Sequence, residues 1–216
     1  MSIASNLKNI QSQIPNHVTL VAVSKTKPVA DLMEAYVAGQ RIFGENKIQE
    51  MVDKYQQMPK DIQWHMIGHV QSNKVKYMAP FVSLIHGVDS FSLLKEINKQ
   101  ALKHNRVIDC LLQVHIAQEE TKFGLNKAEL QELLGSEDFK ALKNIQIMGL
   151  MGMATFTNDE AQIKKEFEYL KSLFDQFTTH HSSFTILSMG MSGDYKLAID
   201  AGSTMIRVGS SIFGSR

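Results

Sequence analysis

Cysteine is almost absent from this chain: there is one, Cys110, in 216 residues. A single thiol excludes an intrachain disulfide and any Cys-rich zinc site, and it fits a reducing compartment. Cys110 sits in an apolar run over 109–116, where it reads as a small core side chain. No charge of one sign dominates. The 23 Lys and Arg nearly balance the 22 Asp and Glu, so no field points to nucleic acid or an anionic membrane. No apolar run reaches spanning length, and the amphipathic start MSIASNLKNIQSQI lacks a signal-peptide pattern. A soluble, cytoplasmic protein is expected. Metal-binding spacings are missing too: Asp89, Asp109, His86 and His115 are scattered, with no HExxH or CxxC, and no metal site is expected.

What the chain does contain is a regular alternation. Short apolar, β-branched runs over 19–24, 41–44, 63–68, 82–87, 109–116, 145–151, 184–188 and 204–208 read as strands buried on both faces. Segments of helical spacing follow each of them. An additional amphipathic helix leads the chain, with Leu7, Ile10 and Ile14 on one face. No linker or low-complexity stretch divides the 216 residues, so one domain spanning 1–216 is expected. Eight βα units imply a parallel sheet and favour a single (β/α)8 TIM-type barrel with an extra N-terminal helix. An open doubly wound sheet is the competing architecture, weakened by the lack of GxGxxG after the first strand.

In such a barrel, chemistry sits at the carboxyl ends of the strands. The first strand, TLVAV, ends in Ser24 and Lys25, with Pro28 opening the next helix. Two readings of Lys25 stand. It caps the strand and reaches solvent with Lys27, or it is an amine held neutral, as Schiff-base chemistry requires. At the other end of the chain, SMGMSGD and RVGSS are strand ends rich in Gly and Ser that open onto helices. Backbone N–H groups and hydroxyls there suit a phosphate, and so does a helix N-terminus. The plainer reading is two tight turns and a serine cap. Arg207, entering the barrel mouth, could neutralise phosphate, address a ring nitrogen, or pair with a carboxylate. Strands one and eight are neighbours in a closed barrel. An amine beside a phosphate cradle fits a phosphorylated aldehyde, of which pyridoxal 5′-phosphate (PLP) is the commonest cofactor example.

The motifs AVSKTKP, GQRIFGENKIQE, WHMIGHVQSNK, KFGL, GLMGMA, SMGMS and STMIRVGSSIFG occur in that order. Together they resemble the pyridoxal phosphate homeostasis protein family, relatives of the N-terminal barrel of alanine racemase. The resemblance runs from about residue 3 to Gly214. It implies that Lys25, rather than Lys27, holds PLP as an internal aldimine, and that Asn46 borders the cofactor. It implies that Ser188, Ser192, Gly209 and Ser210 hold the phosphate, with Met191 in the same loop, and that Arg207 faces the pyridine nitrogen. His65 and Met153 would line the pocket. The departures, His69 in IGHVQSNK and Ser210 where threonine is common, are small.

Three function classes follow. The resemblance implies a non-catalytic carrier and regulator of intracellular PLP supply, a monomer that serves PLP-dependent apo-enzymes. The alternatives are a PLP-dependent racemase or decarboxylase of amino acids, and a Schiff-base aldolase that uses no PLP. Negligible turnover is expected. Two-base racemisation needs a second acid/base across the cofactor from the lysine. Alanine racemase takes that group, a tyrosine, from an additional C-terminal β-domain, whereas here the sequence stops at Arg216, directly after the eighth βα unit. Tyr195, the tyrosine nearest the phosphate loops, is expected to pack on its own helix.

Overall fold

In the computed structural model, which describes residues 2–119, 123–179 and 181–214, every expected strand forms. After α1 (Ile3–Gln13), the chain alternates β1 (Thr19–Val23), α2 (Val29–Val37), β2 (Ile42–Glu45), α3 (Ile48–Gln57) and β3 (Gln63–Met66). A 3-10 turn (Ser72–Lys74) runs into α4 (Val75–Met78), and β4 (Leu84–Val88), α5 (Phe91–Lys103) and β5 (Ile108–Gln113) follow. Two helices, α6 (Lys127–Gly135) and α7 (Glu137–Lys140), precede β6 (Ile145–Met151) and the long α8 (Glu160–Thr178). The last units are β7 (Ile186–Ser188), α9 (Tyr195–Asp200), β8 (Met205–Val208) and α10 (Ser210–Phe213). All eight strands pair in parallel, and β8 returns to β1 with Thr19 opposite Met205 and Val21 opposite Arg207.

Local chemistry explains where the helices begin. Ser2, Ser90 and Asp159 accept backbone N–H groups of the first turns of α1, α5 and α8, and Asn126 and Glu129 form a reciprocal capping box on α6. Each such cap contributes about 1 kcal/mol. Two expected boundaries move. The helix expected from Glu45 starts only at Ile48, because Glu45 still pairs in β2, opposite Met66. The helix expected over 71–78 begins as a 3-10 turn.

The strands bury both faces. Outward-pointing Phe43, Trp64, Ile85, Cys110, Leu112, Leu150 and Ile206 join the large core beneath the helices. Inward-pointing Val21, Leu84, Leu111, Met151 and Met205 form a separate plug inside the barrel. Because side chains alternate with period two, the residue two beyond a plug residue points inward again, nearer the carboxyl end. There the interior turns polar: His86 stands above Leu84, Ser188 above Ile186, and Arg207 above Met205. One glycine is indispensable to this closure. Gly149, in β6, has φ +148°, and a Cβ there would lie 1.9 Å from the Ile186 carbonyl oxygen.

Candidate functional site

A cavity of about 620 Å³ opens at the carboxyl ends of the strands, lined in part by Lys25, Asn46, Met153, Met191, Ser192 and Arg207. Lys25 reaches it because β1 ends at Val23 and the chain then turns tightly. Asn46 follows β2 directly. Its backbone lies so close to Gly68 that a Cβ on Gly68 would meet the Asn46 carbonyl oxygen at 2.4 Å. Gly209 and Ser210 complete the wall after β8.

The loops after β7 and β8 are joined to each other: the Gly209 N–H donates to Ser192 Oγ at 3.1 Å. Asp194 Oδ1 accepts the Met191 N–H at 2.5 Å and so shapes the first loop. Among the described residues, no hydrogen bond takes up the N–H groups of Ser192, Gly193, Ser210 or Ser211. Two hydroxyls, of Ser192 and Ser210, and the backbone N–H groups of Ser192, Gly193 and Ser210 are therefore available in the cavity wall, a donor set suited to an anion.

Arg207 borders the same space while only 4% exposed. It donates to Ser188 Oγ at 2.6 Å and to the Gly152 carbonyl at 3.1 Å. Burial lowers its pKa to about 10, with the charge of Asp194 opposing, so the guanidinium remains protonated at neutral pH. It forms no ion pair with a carboxylate among the described residues. A buried cation without a carboxylate needs acceptors elsewhere. Its backing is a hydrogen-bond chain across the barrel interior. His86 Nδ1 lies 3.1 Å from Ser188 Oγ, and His86 Nε2 lies 3.1 Å from His65 Nδ1. Burial drives the His65 pKa down to about 3. Burial, with the neighbouring His65 and Arg207, also holds His86 well below its usual value. Both rings are neutral at pH 7.

Two expected positions differ here. Ser188 was expected at the phosphate; its side chain is fully buried between Arg207 and His86 and does not line the cavity. His65 was expected in the pocket wall; it lies deeper, against His86. Both follow from alternation, which turns these side chains into the barrel interior below the mouth. Tyr195 does not confine itself to its own helix: its hydroxyl donates to Gln13 Oε1 on α1 at 3.2 Å, and it does not line the cavity. Sequence reading weighs His86 only as a metal ligand and misses its place behind Arg207. The signal available was its spacing of two from Leu84 in a strand apolar on both faces. Lys122, in the motif KFGL, lies outside the described residues.

A closed barrel of eight parallel strands alternating with helices has the fold of the alanine racemase N-terminal domain. The family model of that description matches residues 1–216. The chain is 39% identical to the pyridoxal phosphate homeostasis protein of Vibrio alginolyticus, over all of this chain and 98% of that one. It belongs to the pyridoxal phosphate homeostasis protein family. Solved structures of PipY from Synechococcus elongatus superpose on it, each covering 99% of this chain and 100% of that one. The structure without PLP has a TM-score of 0.92 at 37% identity, and the one with PLP bound 0.90 at 36%.

Proposed function

We propose that this protein binds pyridoxal 5′-phosphate in the 620 Å³ cavity and serves intracellular PLP homeostasis as a non-catalytic carrier, in the cytoplasm and as a monomer. The observation that carries the reading is that one cavity brings together Lys25, the Ser192 and Ser210 hydroxyls, and a buried Arg207. The relatives' name and the PLP-bound PipY support it. When bound, PLP supplies an electrophilic aldehyde and a ring that delocalises charge. The finer part of the proposal is that the Lys25 amine joins that aldehyde carbon as a covalent Schiff base, with loss of water. Ser192, Ser210 and the N–H groups beside them hold the phosphate. Asn46, Met153 and Met191 flank the ring.

Arg207 is a donor only, so toward a ring nitrogen it presents a hydrogen bond and keeps that nitrogen unprotonated. Racemisation needs a second acid/base besides the lysine. Besides Lys25 and Arg207, the titratable residues among the described cavity lining are Lys27 and Asp194, the latter accepting the Met191 N–H, and no tyrosine, histidine, cysteine or glutamate is among them; the relatives' name favours a holder of PLP over an enzyme. The test is spectroscopic. Purified protein given PLP is expected to show a visible band that borohydride fixes onto Lys25, and Lys25→Ala to lack it while remaining folded. A band retained in Lys25→Ala, with the label on Lys27, would refute the assignment. Labelling of Lys25 by a sugar phosphate but not by PLP would favour the aldolase.

A further inference from the structure

Lys25 sits in a turn that is conformationally costly. The Ser24 carbonyl accepts the Lys27 N–H at 3.1 Å, which makes Lys25 and Thr26 the two central residues. Thr26 has φ +65°, a left-handed conformation that favours glycine and is strained for a β-branched residue. Both peptides beside Lys25 are gripped by side chains from α3. Glu50 Oε1 accepts the Thr26 N–H at 2.6 Å. Lys54 Nζ donates to the Ser24 carbonyl at 2.7 Å, to Glu50 Oε1 at 2.7 Å and to Glu45 Oε1 at 2.8 Å, so all three of its protons are placed. Ser24 Oγ donates to the same Glu45 oxygen at 2.6 Å.

This cluster lies deep: the Lys54 side chain is 7% exposed and that of Glu45 fully buried. Buried ion pairs add little net stability over apolar packing, because desolvation offsets the attraction. What this one does is fix geometry, since its three hydrogen-bonding members act on residues 24 and 26 and none of them lines the cavity.

We propose that Glu50 and Lys54, anchored by Glu45, are positioning residues that clamp the Ser24–Thr26 turn and so aim the Lys25 amine into the cavity. This rests on the reading of Lys25 as the residue that bonds PLP. With the clamp removed, the turn relaxes from its left-handed conformation and the amine wanders from the aldehyde, while the phosphate cradle on β7 and β8 is untouched.

The experiment compares the parent with Glu50→Ala and Glu50→Gln; the glutamine retains an oxygen for the Thr26 N–H. The rate at which added PLP develops a borohydride-fixable band is expected to fall tenfold or more in Glu50→Ala and to recover largely in Glu50→Gln. Affinity for pyridoxine 5′-phosphate, which has the ring and phosphate but no aldehyde, is expected to stay within twofold. In the PLP-free protein, amide exchange at Thr26 should quicken in Glu50→Ala and not in Glu50→Gln. Parental band formation in Glu50→Ala overturns the clamp and leaves the Lys25 reading standing. An equal loss of pyridoxine 5′-phosphate binding also overturns it, because the cluster would then support the whole pocket. A parent that binds PLP without a fixable bond to Lys25 overturns both. Should Glu50→Ala fail to fold, Lys54→Met against Lys54→Arg is read in the same way.

Discussion

Acid should unfold this protein through two histidines that the barrel interior holds neutral. His65 is folded with a pKa of about 3 against an ordinary value of 6.5. Between those values the unfolded chain binds a proton that the folded chain refuses, so stability is complete above about pH 6.5 and is lost as pH falls toward 3. From pH 7 to pH 5, His65 alone costs about 2 kcal/mol, from linkage at ~1.4 kcal/mol per pH unit. His86 is depressed in the same direction and adds to the loss. Burial raises the carboxyl pKa of Glu45, the Lys54 ammonium opposing, so that group pulls the other way. The assay is therefore a difference: urea unfolding of the parent and of His65→Asn at pH 7 and at pH 5. Asparagine leaves a hydrogen-bonding group near the ring nitrogen that faces His86. The variant should lose about 2 kcal/mol less than the parent across that interval. Equal losses in the two proteins, or none in the parent, would refute burial as the state of His65.

Three other expectations are independent of that one. Gly149→Ala should destabilise by about 4 kcal/mol or more, since its Cβ would lie 1.9 Å from the Ile186 carbonyl oxygen; a shift below ~1 kcal/mol in urea unfolding would mean that β6 and β7 separate easily. Ser192→Ala with Ser210→Ala should weaken PLP binding tenfold or more by equilibrium titration, as charge-assisted hydrogen bonds contribute roughly 1.5–3 kcal/mol each; parental affinity would move the phosphate elsewhere. Single enantiomers of alanine or serine, incubated with PLP-loaded protein, should racemise, decarboxylate or transaminate no faster than with free PLP. Turnover above that level and lost in Lys25→Ala would make the protein an enzyme.

Much of this molecule is written locally. The eight apolar runs, the caps at Ser90 and Asp159, and the strand-end placement of Lys25 and of the SMGMS and RVGSS loops depend on near neighbours in the chain, and each is legible there. That legibility stops at the barrel's interior. His65, His86, Ser188 and Arg207 come from four strands, and their chain of hydrogen bonds exists only because β8 closes onto β1 and each strand adopts one register. Period-two alternation says that a side chain points inward; it does not say at what height, which is why Ser188 backs Arg207 instead of lining the cavity. Lys54 is the sharper case. By spacing it is a polar helix residue like many others, yet packing α3 against β2 and β3 buries it among Glu45, Glu50 and the Ser24 carbonyl. Whether a charge is solvated or buried is decided by what the rest of the chain places over it, and no local pattern carries that information.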